Sequence, residues 1–427
     1  MKKILIIIMT AMDFMMQTVS GQGTPVTFRD YIMKGVPAKR EVDVFLHEMS
    51  WAKFDPETGY RLGNYMPHDG VDNSSTLSTS QPNGARTSFM YKSSHCRINT
   101  YGNSFTQCHQ VSDGETWQEY LAADLGEPIR NFGMGGYGVN QSYLKMLKEE
   151  STANAAENIV FYIWGDDHIR SLLRCRYMLI RDWMKEQEKT EEKGKMFHGN
   201  FWSNIEMDLD KGVLVEKKNL ISDPDSLYNM TDPDWMYAHL KDDLALQMAL
   251  YKKGEITDID FNKLTTLAKC LGSALDLQKQ TDKRKAVAEL LDLYSFASTK
   301  YILEKVKQFA VKNKKKLLVV IFDPYQVTRP LLEGKSRYDQ PIVEFLEKNK
   351  YNYFDMNLVH LQDYKCFNLK IDDYYKRYFI GHYNPAGNHF FAFAIKPRII
   401  EMLDPRPITY QDGRQQLINF KGYLEGF

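Results

Sequence analysis

Four short stretches of the chain hold side chains that could do chemistry together. They are Gly102-Asn103-Ser104-Phe105-Thr106, Asn131-Phe132-Gly133-Met134-Gly135-Gly136, Gly165-Asp166-Asp167-His168 and Gly381-His382-Tyr383-Asn384-Pro385. A serine hydroxyl is a poor nucleophile until a base takes its proton, and histidine is the side chain most often used for that near neutral pH. Ser104 and His382 are the candidates for the two roles. Acyl transfer also needs N–H groups aimed at the oxygen on which negative charge develops. Glycines let the backbone approach a ligand closely, so Gly136 is the candidate donor beside the amide of Ser104. The adjacent carboxylates of Asp166 and Asp167 have three readings: orienting a base, binding a metal, or lying solvated at the surface. Each stretch alone also has a plain structural reading. Ser104 can hydrogen-bond its own turn, the glycines can form a tight turn or a phosphate-binding one, and an isolated histidine is more often structural than functional.

The elements around these stretches put them on one edge. Arg97–Tyr101 reads as a strand that ends at the serine turn. Thr116 and Glu119 have capping-box spacing at the start of a helix, and Gly126 marks its stop. A second strand, Ile129–Phe132, runs into the glycine turn, and a helix over Asn140–Glu149 follows. Asn158–Trp164 is a continuous apolar run, as expected of a strand buried on both faces. After an interruption the alternation resumes with helix Lys283–Lys312, strand Leu317–Phe322, helix Pro341–Asn349, strand Tyr353–Phe354 and helix Pro385–Leu403. Alternating strands and helices predict an α/β fold with a parallel sheet, and ligands of such sheets bind beyond the carboxyl ends of the strands. Ser104, the glycine turn and Asp166–Asp167 all follow strand ends.

Core segments are therefore expected at 93–174 and 283–404. Between them, 175–282 reads as a mainly helical insertion, with Leu264, Leu267, Leu271 and Leu275 at helical spacing. Residues 23–92 read as an irregular N-terminal extension packed on the core, and 405–427 as a C-terminal tail. Residues 1–22 have the pattern of a secretory signal peptide: Lys2 and Lys3, then apolar Ile4–Met12, then the small residues of Val19-Ser20-Gly21. Secretion or a periplasmic location is the expectation, with no integral membrane segment after its removal.

Charge and cysteine content narrow the partners. The 55 basic and 55 acidic residues of the 427-residue chain cancel, which argues against nucleic acid as the main partner. A small-molecule or carbohydrate ester is a better fit. Five scattered cysteines include no Cys-x-x-Cys and no zinc spacing. Cys96 and Cys108 flank the serine turn, where either a disulfide or two free thiols can stand. No metal, dinucleotide or other cofactor is expected.

Taken in order, the four stretches resemble the SGNH (GDSL-like) hydrolase family. The resemblance rests on Gly-Asn-Ser-Phe-Thr early in the core, Asn-Phe-Gly-Met-Gly-Gly after the second strand, Gly-Asp-Asp-His after the third, and His-Tyr-Asn-Pro-Ala-Gly-Asn at the end. It covers about 97–170 and 285–403. It implies a three-layer α/β/α sandwich with a mostly parallel, flavodoxin-like sheet. It implies a serine esterase cleaving acetyl or similar esters, carbohydrate esters among them. The alternatives are an O-acyltransferase on the same site and a catalytically weakened glycan-binding module. By the same resemblance Ser104 is the nucleophile, His382 the base, and the N–H groups of Ser104 and Gly136 the oxyanion hole. Two positions depart from the family pattern. Asp167 stands where a third oxyanion donor, an asparagine, is usual, and Phe379 and Ile380 stand where an aspartate would orient the histidine. Asp166 or Asp167, and after them Asp372 or Asp373, are the carboxylates expected to take that orienting role.

Overall fold

Five strands form one parallel sheet: β1 (Ile98–Tyr101), β2 (Ile129–Asn131), β3 (Asn158–Ile163), β4 (Lys316–Ile321) and β5 (Tyr353–Asp355). They lie side by side in the order β2-β1-β3-β4-β5, and every pairing is parallel. This is a doubly wound order, with its reversal between β1 and β3. All six residues of β3 are buried, as its unbroken apolar run predicted. In the computed structural model, residues 26–48, 50–188, 198–407 and 410 are described. The expected signal peptide and most of the expected tail lie outside them.

The chain divides into two units. The unit with the sheet comprises 66–137, 145–165 and the residues from Leu303 onward. Its core on one sheet face is built by alternate strand residues, Val160, Tyr162, Leu318 and Val320, packed with Trp117, Leu121, Phe391 and Ile395. Leu121 and Phe391 come from the helices Trp117–Leu125 and Pro385–Met402, both of which the sequence marks clearly. Thr116 caps the first, its hydroxyl accepting from the Glu119 N–H at 3.2 Å, and Gly126 ends it in the left-handed region. The Glu119 carboxylate does not close the expected capping box. It accepts instead from the N–H groups of Phe89 and Met90 at 2.9 and 3.0 Å, tying down the preceding loop. The reciprocal box is made by Ser112 and Glu115.

Of the described residues, the other unit comprises those through Tyr65, 138–144 and those within 166–302. The N-terminal stretch in it is not irregular: it holds helices Phe28–Met33 and Lys39–His47 and an antiparallel hairpin, Ala52–Asp55 with Gly59–Leu62. Residues up to Tyr65 cluster with the insertion, and only those from Met66 on cluster with the sheet. The insertion is mainly helical, from Tyr177–Glu188 through Phe261–Cys270, with one antiparallel hairpin, Asn204–Asp208 with Val213–Lys217. All five cysteines are free. Among the described residues no helix is long and apolar enough to cross a membrane.

Candidate active site

Ser104 opens a four-residue helix, Ser104–Gln107, immediately after β1 and so beside the reversal point of the sheet. Asn103 caps this helix, its side-chain oxygen accepting from the N–H of Phe105 at 2.8 Å. The helix ends in the left-handed residue Cys108, and Gln110 is left-handed as well. These two reversals turn His109 and Gln110 back toward Ser104, and the N–H of His109 bonds the carbonyl of Ser104 at 2.9 Å.

His382 arrives from the other end of the chain. It sits in the turn between helix Ile371–Tyr378 and helix Pro385–Met402. Asn384 caps the second helix through the N–H of Gly387 at 2.8 Å, and Pro385 occupies its first turn. The turn is pinned by Ile380 N–H to the carbonyl of His382 at 2.9 Å and by the hydroxyl of Tyr325 donating to the carbonyl of Gly381. The imidazole rests against the ring of Phe105, with centroids 4.9 Å apart.

The two half-buried side chains meet: His382 Nε2 lies 2.7 Å from Ser104 Oγ. On the far side of the ring, Nδ1 lies 3.0 Å from Gln110 Oε1. The same Oε1 accepts the backbone N–H of His382 at 2.8 Å, while Gln110 Nε2 donates to the carbonyl of Asp69 at 3.1 Å. The backbone N–H at one amide atom and the carbonyl at the other fix which atom is oxygen. Nδ1 must then carry the proton, so Nε2 presents its lone pair to the serine hydroxyl.

No protein-family model matches the chain, and no curated protein matches it.

The residue facing Nδ1 corrects the sequence-based expectation of a carboxylate. Asp166 and Asp167 belong to the other unit, where Arg170 pairs with Asp167 at 3.1 Å and with Asp166 at 3.5 Å. Asp372 pairs with Arg329 at 2.7 Å and Asp373 with Lys376 at 3.0 Å. The bond to Nδ1 comes from Gln110, a neutral amide. His168, from the same stretch as the two aspartates, is a core residue. Its Nδ1 bonds Thr299 Oγ1 at 2.8 Å, and burial pushes its pKa down to about 4.

The glycine turn after β2 is packed directly on the Ser104–Gln107 helix. A Cβ on Gly133 would lie 2.2 Å from the backbone nitrogen of Gln107, so only glycine permits the approach. Gly136 sits at φ +79°, a left-handed conformation that glycine adopts without strain. Gly133, Gly135 and Gly138 have the spacing of a dinucleotide-binding turn. Its amides are committed elsewhere, however. The N–H of Gly133 bonds Asn131 Oδ1 at 2.9 Å, that of Gly135 bonds Gln107 Oε1 at 2.6 Å, and that of Met134 bonds the carbonyl of Gly102 at 3.0 Å. Among the described residues, no backbone carbonyl accepts from the N–H groups of Ser104 and Gly136.

Arg86 holds the loop that carries Gln110, and nothing in its own sequence neighbourhood marks it for this. It is fully buried, paired with Asp113 at 2.8 Å. Its guanidinium donates to the carbonyls of Gln107 at 2.5 Å, Cys108 at 2.6 Å and Val111 at 2.5 Å. Its own N–H reaches the carbonyl of Asn131 at 2.8 Å, at the end of β2. One residue thus sets the loop that follows Ser104 against the strand that leads to the glycine turn. Among the described residues, no group of three or more His, Cys, Asp or Glu side chains is arranged to hold a metal ion.

Proposed function

We propose that the chain is a serine ester hydrolase of the SGNH type, with Ser104 as nucleophile and His382 as base. The observation that carries this reading is the 2.7 Å contact between Ser104 Oγ and His382 Nε2 at the carboxyl edge of a parallel sheet. Oγ donates its proton to Nε2 as it bonds to the ester carbonyl carbon. The carbonyl π pair moves onto oxygen, where the N–H groups of Ser104 and Gly136 receive it. The tetrahedral intermediate collapses, the C–O bond to the alcohol breaks, and the imidazolium returns the proton to the leaving oxygen. Water then repeats the sequence on the acyl-serine, releasing the acid and restoring the hydroxyl. Gln110 keeps Nδ1 protonated throughout and so keeps Nε2 available.

Small acyl groups, acetyl above all, on a carbohydrate or small-molecule alcohol are the proposed substrates. The test is a serine-directed fluorophosphonate together with hydrolysis of p-nitrophenyl acetate and acetylated sugars. Wild type should be labelled and should release acetate, and Ser104→Ala should do neither. Absence of both in the wild type would overturn the proposal. If acetate appears on an added sugar instead of in solution, the same nucleophile serves transfer and the hydrolase assignment fails.

A further inference from the structure

Gln110 orients His382 but brings it no net charge. A base that takes the proton of the serine becomes an imidazolium, and in a Ser-His-carboxylate site the carboxylate steadies that charge. A carboxylate does stand nearby, in a loop far upstream. Asp69 Oδ2 lies 3.2 Å from His109 Nε2, and Oδ1 accepts from Thr76 Oγ1 at 2.6 Å. The backbone carbonyl of Asp69 is the group that Gln110 Nε2 bonds, at 3.1 Å. His109 in turn lies against His382, with ring centroids 5.1 Å apart and the planes at 60°. Two side chains that touch the imidazole of His382 are therefore both held by Asp69, one through its main chain and one through its carboxylate.

We infer that Asp69 is the displaced acid of this site, a positioning residue that acts through His109 and Gln110 to hold His382 and to offset the charge its ring gains. This rests on the serine esterase reading above. Burial by itself would raise the Asp69 carboxyl. The hydrogen bond and charge of His109, the Thr76 hydroxyl and the charge of His382 together hold it below its ordinary value, so it is ionised where the reaction runs. The other polar groups recorded around the cluster are not placed to substitute for it. His68 Nδ1 is bonded to Ser75 Oγ at 2.9 Å, Tyr325 donates to the carbonyl of Gly381, and burial pushes the hydroxyl pKa of Tyr383 far up. Ser104, Phe105 and Gln110 are neutral. A carboxylate on an N-terminal loop thus replaces one that would precede the histidine in sequence.

Asp69→Asn tests the inference, because it removes the charge and keeps the backbone carbonyl that Gln110 needs. The rate of p-nitrophenyl acetate cleavage is followed from about pH 5 to about pH 9. Loss of a nearby negative charge makes His382 easier to deprotonate. The acid limb should therefore move to lower pH by roughly half a unit to one unit, while the plateau kcat falls about tenfold and KM changes little. Adding Gln110→Glu to Asp69→Asn puts a carboxylate directly at Nδ1 and should move the limb back up and recover most of the plateau. An unmoved limb in Asp69→Asn, or a lost plateau that Gln110→Glu does not recover, would overturn the inference. Titration of His382 by NMR in wild type and Asp69→Asn gives the same readout without turnover. Equal midpoints there sink the inference even if the esterase reading stands, whereas a shifted midpoint with no ester cleavage by the wild type sinks the esterase reading alone.

Discussion

At the scale of single residues, Gln110 separates orientation from charge. Its amide oxygen holds two N–H donors of His382, and a methyl group in its place would leave the ring free to turn. Gln110→Ala should lower kcat by about 10- to 100-fold, less than loss of the base itself, because orientation is one part of general-base catalysis. Circular dichroism and an unchanged unfolding midpoint would show that the loss is local. Gln110→Glu alone should raise the acid limb of the pH profile, since a carboxylate at Nδ1 favours the protonated ring. Ser104, His382 and Gly136 were legible in the sequence because their neighbours carry turn and capping signals. Gln110 and His109 carry no such signal, although they follow Ser104 within one short loop. Neither is a carboxylate, and only the left-handed residues Cys108 and Gln110 bring that loop back to the histidine.

At the scale of elements, the site depends on two close approaches. The first is the glycine turn on the nucleophile helix. Gly133→Ala places a Cβ inside the van der Waals radius of the Gln107 nitrogen, so one of the two turns must move. A loss of roughly 1–3 kcal/mol in urea unfolding is expected, with a drop in kcat larger than that in stability would imply, because Gly136 and Ser104 shift relative to each other. The second is the Arg86 clamp. Arg86→Met leaves Asp113 buried without its cation and takes a donor from the carbonyls of Gln107, Cys108 and Val111. Breaking a buried pair in this way costs about 3–5 kcal/mol, read as a lowered urea midpoint at unchanged slope. The strands and helices of the sheet unit were readable from apolar runs and caps. The Arg86 clamp was not, since the partners of its side chain lie 9 to 27 residues away and are mostly backbone carbonyls that carry no sequence signature.

At the scale of the whole molecule, buried neutral histidines make stability depend on pH. His360 lies between the hydroxyls of Tyr374 and Tyr383, at 2.9 and 2.7 Å, and burial pushes its pKa from 6.5 down to about 3. His168 is pushed down to about 4 for the same reason. In both cases the unfolded chain binds the proton more readily than the folded one. Stability is thus fully present above the unfolded pKa and is lost as pH falls through that value toward about 4 and about 3. The urea midpoint should fall steadily between about pH 6.5 and about pH 4, and His360→Gln should make that fall shallower. A midpoint flat over this range would show that neither ring is held neutral. The N-terminal stretch also shows the limit of local reading at this scale. It looked irregular, yet its first part folds into helices and a hairpin that cluster with the insertion, and its remainder supplies Asp69 and Arg86 to the sheet unit.

By itself the sequence determined the α/β alternation, the strand ends with the serine and glycine that follow them, and the histidine ahead of the last helix. Those features are local: periodicity, caps and turn residues act over a few positions, and each leaves a mark where it acts. Tertiary structure alone decided the partner of His382 Nδ1, the carboxylate behind it and the arginine that fixes the loop. Those choices are made between segments distant in the chain, where the deciding quantity is a distance of about 3 Å and not a spacing in sequence. Ser104 and His382 were therefore visible before folding, and the groups that hold His382 became visible only after it.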